Sequence, residues 1–144
     1  MPIKSYRGKI ADGAVDKVQI HSKTGAIGYR IKKLQIIHAE PGQQEAEHTV
    51  KIYSIKQTTA TNTIDFNDQT LLGVAYLKDH DGVAYPGTEM IIFDNMTFNQ
   101  DIFITHEDTN GSYPCNYYLE LEQIKLSLNE NTVATLKDIR NIRA

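Results

Sequence analysis

The chain's reactive side chains are five histidines (His21, His38, His48, His80 and His106), one cysteine (Cys115) and eighteen acids. Zinc sites that can be read from a sequence come as close Cys or His pairs, such as C-x2–4-C, H-x3–5-H or H-E-x-x-H. No two of these histidines have that spacing, so they read as surface or interface side chains, and neither a metal nor a cofactor is expected. Cys115 follows Pro114, with His106 the nearest histidine in sequence. A thiol nucleophile needs a base oriented by a third group, and nothing local supplies one, so the reading is a buried, inert thiol. Asp65-Phe66-Asn67-Asp68 and Asp79-His80-Asp81-Gly82 begin like calcium loops but lack the full ligand series with its distal glutamate. Asx turns account for both. A glycosidase carboxylate pair is defined by a separation of roughly 5–10 Å in space, which the order of residues does not supply. The chain contains no G-x-S-x-G, Walker A or G-x-G-x-x-G motif. The expectation is a protein that is not an enzyme.

The elements that must position these groups read as strands. Ile3 to Ile10 and Ala14 to Ser22 flank Ala11-Asp12-Gly13, a short glycine-containing turn of hairpin type. Ile27, Tyr29 and Ile31 alternate in one phase and Leu34 and Ile36 in the other, so a β-bulge is expected at Lys32-Lys33, where one extra residue reverses side-chain parity. Thr49 to Lys56, Leu71 to Leu77, Glu89 to Phe93, Asp101 to His106 and Cys115 to Leu128 continue the series. The threonine-rich stretch 57–63 fits either a solvated loop or an extended edge. A second phase change, from Tyr117, Leu119 and Leu121 to Ile124, Leu126 and Leu128, suggests another bulge near Glu122-Gln123. Tyr117-Tyr118 must point to opposite faces of its strand. One ring is expected in the core and the other toward a neighbour or partner. Beyond Asn129, Val133, Leu136, Ile139 and Ile142 suit a short C-terminal helix or an extended arm over 129–144.

At 144 residues, with 40% hydrophobic and 23% charged residues, the chain has the size and composition of one packed domain. No repeat or Gly/Pro/Ser-rich linker divides residues 1–144. A single cysteine excludes an internal disulfide framework and fits a reducing cytosol. The N-terminus lacks a secretory pattern, and no apolar run approaches the roughly 18 residues of a membrane span. Eight to ten short strands with a turn about every ten residues give an all-β fold. The expectation is a single β-sandwich domain, jelly-roll-like, with a small barrel as the alternative.

Charge is unevenly distributed. Lys4, Arg7, Lys9, Lys17, Lys23, Arg30, Lys32 and Lys33 face only Asp12 and Asp16 in the same stretch, whereas 79–108 carries seven acids and no lysine or arginine. Two arrangements fit: neighbouring strands that neutralise each other, or two poles through which copies meet head to tail. A nucleic-acid partner is not expected, because the protein is acidic overall and its basic stretch lacks interleaved exposed aromatics.

Five segments carry a resemblance. They are Gly28-Tyr29-Arg30-Ile31, Phe93-Asp94-Asn95, the run from Phe98 to His106, the run from Asn116 to Glu122, and the run from Ala134 to Arg140. Together they resemble small virion structural proteins of marine tailed bacteriophages, over most of residues 27–144. The resemblance implies a non-enzymatic, multi-copy component of the phage particle, associated with capsid or tail and made in the bacterial cytoplasm. It points first to a capsid decoration or cement protein whose partners are the major capsid protein and copies of itself. A carbohydrate- or receptor-binding β-sandwich on a tail or fibre, taking a host glycan, is the alternative. Candidate contact residues are Lys32, Lys33, Asp79, Asp81, Tyr118, Leu136, Ile139 and Ile142.

Overall fold

The computed structural model describes residues 2–20, 26–42, 45–79, 88–93 and 96–126. They form eight strands and, among the described residues, no helix: β1 (Ile3–Ile10), β2 (Val15–Val18), β3 (Ile27–His38), β4 (Ala46–Tyr53), β5 (Leu71–Asp79), β6 (Thr88–Ile92), β7 (Ile102–Asp108) and β8 (Cys115–Lys125). The C-terminal helix or arm expected over 129–144, with Leu136, Ile139 and Ile142, lies outside the described residues.

Two antiparallel sheets pack face to face, one of three strands in the order β1-β8-β3 and one of five in the order β2-β7-β4-β5-β6. First pairs with last, second with seventh and fourth with fifth. These are the nested pairings produced by winding one long hairpin into a sandwich, the jelly-roll arrangement. One strand departs from the scheme: β6 pairs with β5 instead of β3. The free side of β3 is met instead by the segment after β6, where Tyr29 and Phe98 exchange backbone hydrogen bonds of 2.7 and 2.9 Å.

Alternation builds the core. Leu34 and Ile36 of β3, Val50 and Ile52 of β4, Ile102 and Ile104 of β7, and Leu119 and Leu121 of β8 all point between the sheets and are buried. The phase change in β3 is a real irregularity: Ile31 pairs with Leu121 and Lys33 with Glu120, leaving Lys32 as the extra residue. The second expected bulge is absent from the ladder. β8 runs against β3 in unbroken register from Leu121 through Lys125, and against β1 through Glu122. The strand is not bulged there, so Ile124 and Leu126 take the outer parity, and Leu126 packs over Gly28, where a Cβ would lie about 3.0 Å from the leucine side chain.

The turn at Ala11-Asp12-Gly13 reverses the chain, with Gly13 at φ 76° and Ala14 N–H donating to Ala11 O, but it is not a hairpin turn. β1 and β2 belong to different sheets, so the chain crosses the sandwich here. Turn chemistry fixes a local reversal, whereas the partners of the flanking strands are chosen by distant segments. The threonine-rich stretch also has a definite role. Thr49, Lys51 and Tyr53 point away from the core yet are buried, and Lys51 Nζ donates to Thr61 Oγ1 at 3.0 Å and Thr63 O at 2.6 Å. Segment 54–70 is therefore an irregular cover across the outer face of β4. Within it Asp65 and Asp68 form the expected Asx turns, accepting from Asn67 N–H and Thr70 N–H, both at 2.9 Å.

Candidate functional site

With the outer face of β4, the middle strand of the five-stranded sheet, covered by 54–70, the more open face among the described residues is the outer side of β1-β8-β3. Strand parity puts Ser5, Arg7 and Lys9 of β1, Asn116, Tyr118, Glu120 and Glu122 of β8, and Lys33, Gln35 and Ile37 of β3 on that side. A shallow depression of about 490 Å³ lies on it, lined by Arg7, Lys9, Gln35, Ile37, Asn116 and Tyr118. Ile37, near the end of the edge strand β3, is a large aliphatic residue that is 61% exposed. Tyr118 faces this surface while Tyr117 enters the core, as their alternation requires. Tyr118 Oη donates to Glu120 Oε2 at 2.6 Å, and that bond pushes the phenol's pKa up.

The two charge poles lie largely on different sheets. The basic residues of β1 and β3 flank the acids of β8. Arg30 Nη2 sits 3.0 Å and Lys32 Nζ 3.9 Å from Glu122 Oε2, and the Arg30 hydrogen bond first holds the Glu122 carboxyl below its ordinary range. Of the described acids of the second stretch, Asp79, Glu89, Glu107 and Asp108 lie in the five-stranded sheet and Asp101 immediately before β7. One described ion pair joins the stretches, Lys17 to Asp101 at 3.3 Å across the β2–β7 pairing. Of the candidate contact residues, Lys32 and Lys33 flank the bulge of β3 and Tyr118 faces the open surface. Asp79 closes β5, where its carboxylate accepts from Gly42 N–H at 3.1 and 3.3 Å. Asp81 lies outside the described residues.

A second cluster went unnoticed in the sequence. His38, His48 and His106 are at most 1% exposed and meet between the sheets beside the fully buried Cys115, which corrects their reading as surface groups. The three-stranded sheet supplies His38 and Cys115, which are register partners; the five-stranded sheet supplies His48 and His106. All four stand near strand ends, so they form a polar layer at one end of the core. The signal was present in alternation: Leu34-Ile36-His38, His48-Val50-Ile52, Ile102-Ile104-His106 and Cys115-Tyr117-Leu119 each keep one parity, so each reactive group extends an inward row.

Hydrogen bonding fixes the tautomers of this layer. His106 Nδ1 lies 3.0 Å from Ala11 O, which can only accept, so Nδ1 carries the proton and Nε2 is an acceptor. His48 Nδ1 is 2.7 Å from that Nε2 and must donate, and His38 Nδ1 donates to His48 Nε2 at 2.7 Å. Three neutral imidazoles thus form a one-way file ending at His38 Nε2, which is buried without a partner. Burial first, then the neighbouring His106, pushes His48 down to about 4. Cys115 is a fully buried free thiol, as the sequence suggested, and burial pushes its pKa up to about 12, so without an ion its sulfur is protonated. Asp108 borders the layer. Burial acts to raise its pKa, but the backbone N–H groups of Glu47, Tyr113 and Asn110 outweigh this and hold the carboxylate below its ordinary range.

No protein-family model matches the chain, and the curated proteins contain no significant match to it.

Proposed function

We propose that this protein is a structural component of a tailed-phage particle, a decoration or cement protein that binds the major capsid protein and neighbouring copies through the outer face of β1-β8-β3. The observation that carries the reading is the asymmetry of the two sheets. The middle strand of the five-stranded sheet, β4, is covered on its outer face by the protein's own segment 54–70. Among the described residues, the outer face of the three-stranded sheet has no such cover and sets the exposed Ile37 beside Arg7, Lys9, Lys33 and Gln35. An exposed apolar side chain set among polar and arginine side chains is a composition found at protein interfaces. A cement protein acts by adding buried contact area across seams, and many copies multiply a modest contribution from each.

The test is co-sedimentation of the purified protein with shells of the major capsid protein. Replacing Arg7 and Lys9 by Glu and Ile37 by Asp, all exposed on the open face, should lower apparent affinity by at least about tenfold, as for loss of interface anchors. Wild-type binding by this triple variant would overturn the assignment of the face.

The depression beside Tyr118 favours a second reading, because an aromatic ring among Asn116, Gln35 and Arg7 is a surface on which a sugar ring can stack and hydrogen-bond. Under that reading host oligosaccharides bind the isolated protein, and Tyr118→Ala abolishes binding. Absence of oligosaccharide binding together with retention on shells leaves the structural role.

A further inference from the structure

We propose that the buried layer at the end of the sandwich is a binding site for a zinc-class transition-metal dication, with His48, His106 and Cys115 as ligands. One nitrogen from each ring and the cysteine sulfur lie within 4.8 Å of one another, and all three residues are fully buried. They come from three strands and both sheets, so an ion here would tie the two layers together. Two imidazoles and one sulfur form a borderline-soft donor set that suits zinc and its neighbours and is foreign to calcium or magnesium, which take oxygen.

The surroundings are already those of a ligand set. His106 Nδ1 donates to Ala11 O, which holds its ring and leaves Nε2 free to coordinate; metal-bound histidines are typically anchored in this way by their second nitrogen. His48 offers Nδ1 on the side facing His106, while its Nε2 contacts His38. The 2.7 Å between His48 Nδ1 and His106 Nε2 is a hydrogen-bond distance. Two nitrogens on one tetrahedral zinc stand about 3.3 Å apart, given Zn–N bonds near 2.0–2.1 Å, so binding requires the rings to part by about 0.6 Å. The Cys115 thiol makes only weak S–H···O contacts, to Ile37 O at 3.6 Å and Asn116 O at 3.5 Å, which a metal–thiolate bond would replace. The fourth position falls to water or, after rotation of its ring, to His38 Nε2, the one imidazole nitrogen of the cluster without a partner. Coordination through His48 Nδ1 moves that ring's proton to Nε2 and, where His38 stays hydrogen-bonded to it, the His38 proton from Nδ1 to Nε2, so both rings stay neutral. The Cys115 S–H bond breaks as a metal–thiolate bond forms, and one net proton leaves for solvent per ion bound.

The test uses the full chain, stripped with a chelator and titrated with Zn²⁺, Co²⁺ and Cd²⁺ separately. One ion per chain is expected. The Co²⁺ form should show a thiolate-to-cobalt charge-transfer band, the ¹¹³Cd resonance of the wild-type protein should fall in the range for mixed nitrogen and sulfur ligation, and Ca²⁺ should not bind. Cys115→Ser should remove the charge-transfer band and weaken Zn²⁺ at least about 100-fold, more than the 10–100-fold typical of losing an outer-shell partner. His106→Gln should also weaken it at least about 100-fold. The Cd²⁺ measurement needs no variant, so it decides the matter even if a substitution unfolds the chain. No stoichiometric binding, a ¹¹³Cd shift of oxygen and nitrogen ligation only, or Zn²⁺ affinity unchanged in folded Cys115→Ser would each overturn the site.

Discussion

His48 shows how much a single buried group costs the fold in acid. In the metal-free protein its pKa lies at about 4, against 6.5 for an unperturbed histidine, and His38, His106, Asp108 and Asp79 are the titratable groups acting on it. Because the folded value is the lower one, the unfolded chain binds more protons between these two values. The stability associated with neutral His48 is complete above pH 6.5 and is lost as pH falls toward 4. The shift corresponds to about 3 kcal/mol. Denaturant titrations of the metal-free protein at steps from pH 7.5 to 4 should show a decline of that order, and His48→Gln should flatten it. An equally steep decline in the variant would assign the acid sensitivity to other groups.

At the scale of elements, the bulge in β3 yields an unequal pair of deletions. Lys32 is the extra residue between Ile31, paired with Leu121, and Lys33, paired with Glu120. Deleting it joins an inward residue to an outward one, restores plain alternation and keeps every core residue facing inward. The losses are the Lys32–Glu122 contact and some local twist, so the fold should survive at a cost of about 1 kcal/mol, the scale of an exposed ion pair. Deleting Gln35 breaks alternation between Leu34 and Ile36, forcing one side of β3 to present its apolar row to water. That variant should not fold, as circular dichroism and a thermal melt would show; equal stability of the two deletions would refute the parity argument. The cover 54–70 gives another case. Lys51→Met removes a buried charge together with its bonds to Thr61 and Thr63. An apolar replacement of similar length avoids the desolvation cost, so global stability should change by no more than about 1 kcal/mol. Limited proteolysis within 57–63 should nevertheless accelerate, since the tie that holds the cover is gone. A cleavage rate equal to wild type would mean that other contacts hold it.

Across the whole molecule, the separation of charge between sheets predicts how association responds to salt. Arg7, Lys9 and Lys33 stand on the open face, whereas Glu89 and Glu107 belong to the five-stranded sheet. Attraction between a basic face and an acidic partner surface is screened as the Debye length falls from about 8 Å at physiological ionic strength to about 3 Å at 1 M. Shell binding should therefore weaken over that range, and Arg7→Glu with Lys9→Glu should reverse the trend. Affinity that holds or rises with salt would place the energy in apolar contacts such as Ile37. Lys32 and Asp79 are poor choices for charge reversal, because each already has an internal partner, Glu122 and the Gly42 amide.

Residue order alone determined the strands. β1 matches its sequence-derived limits, and the others differ by a few residues at their ends, because alternation and turn residues are local properties. It also determined the bulge at Lys32-Lys33, the opposed faces of Tyr117 and Tyr118, and the burial of Cys115. Tertiary structure alone decided which strands pair. Ala11-Asp12-Gly13 has the chemistry of a hairpin turn, yet β1 joins β8, more than a hundred residues away in sequence. It also decided that 57–63 covers β4 and that β8 has no second bulge. The histidine layer follows from the same cause. Each of His38, His48 and His106 carries a parity that points inward, but nothing in their spacing says that the three inward rows end at the same level. That coincidence is set by the register between strands, and register is a sum over long-range pairings that no local window of sequence contains.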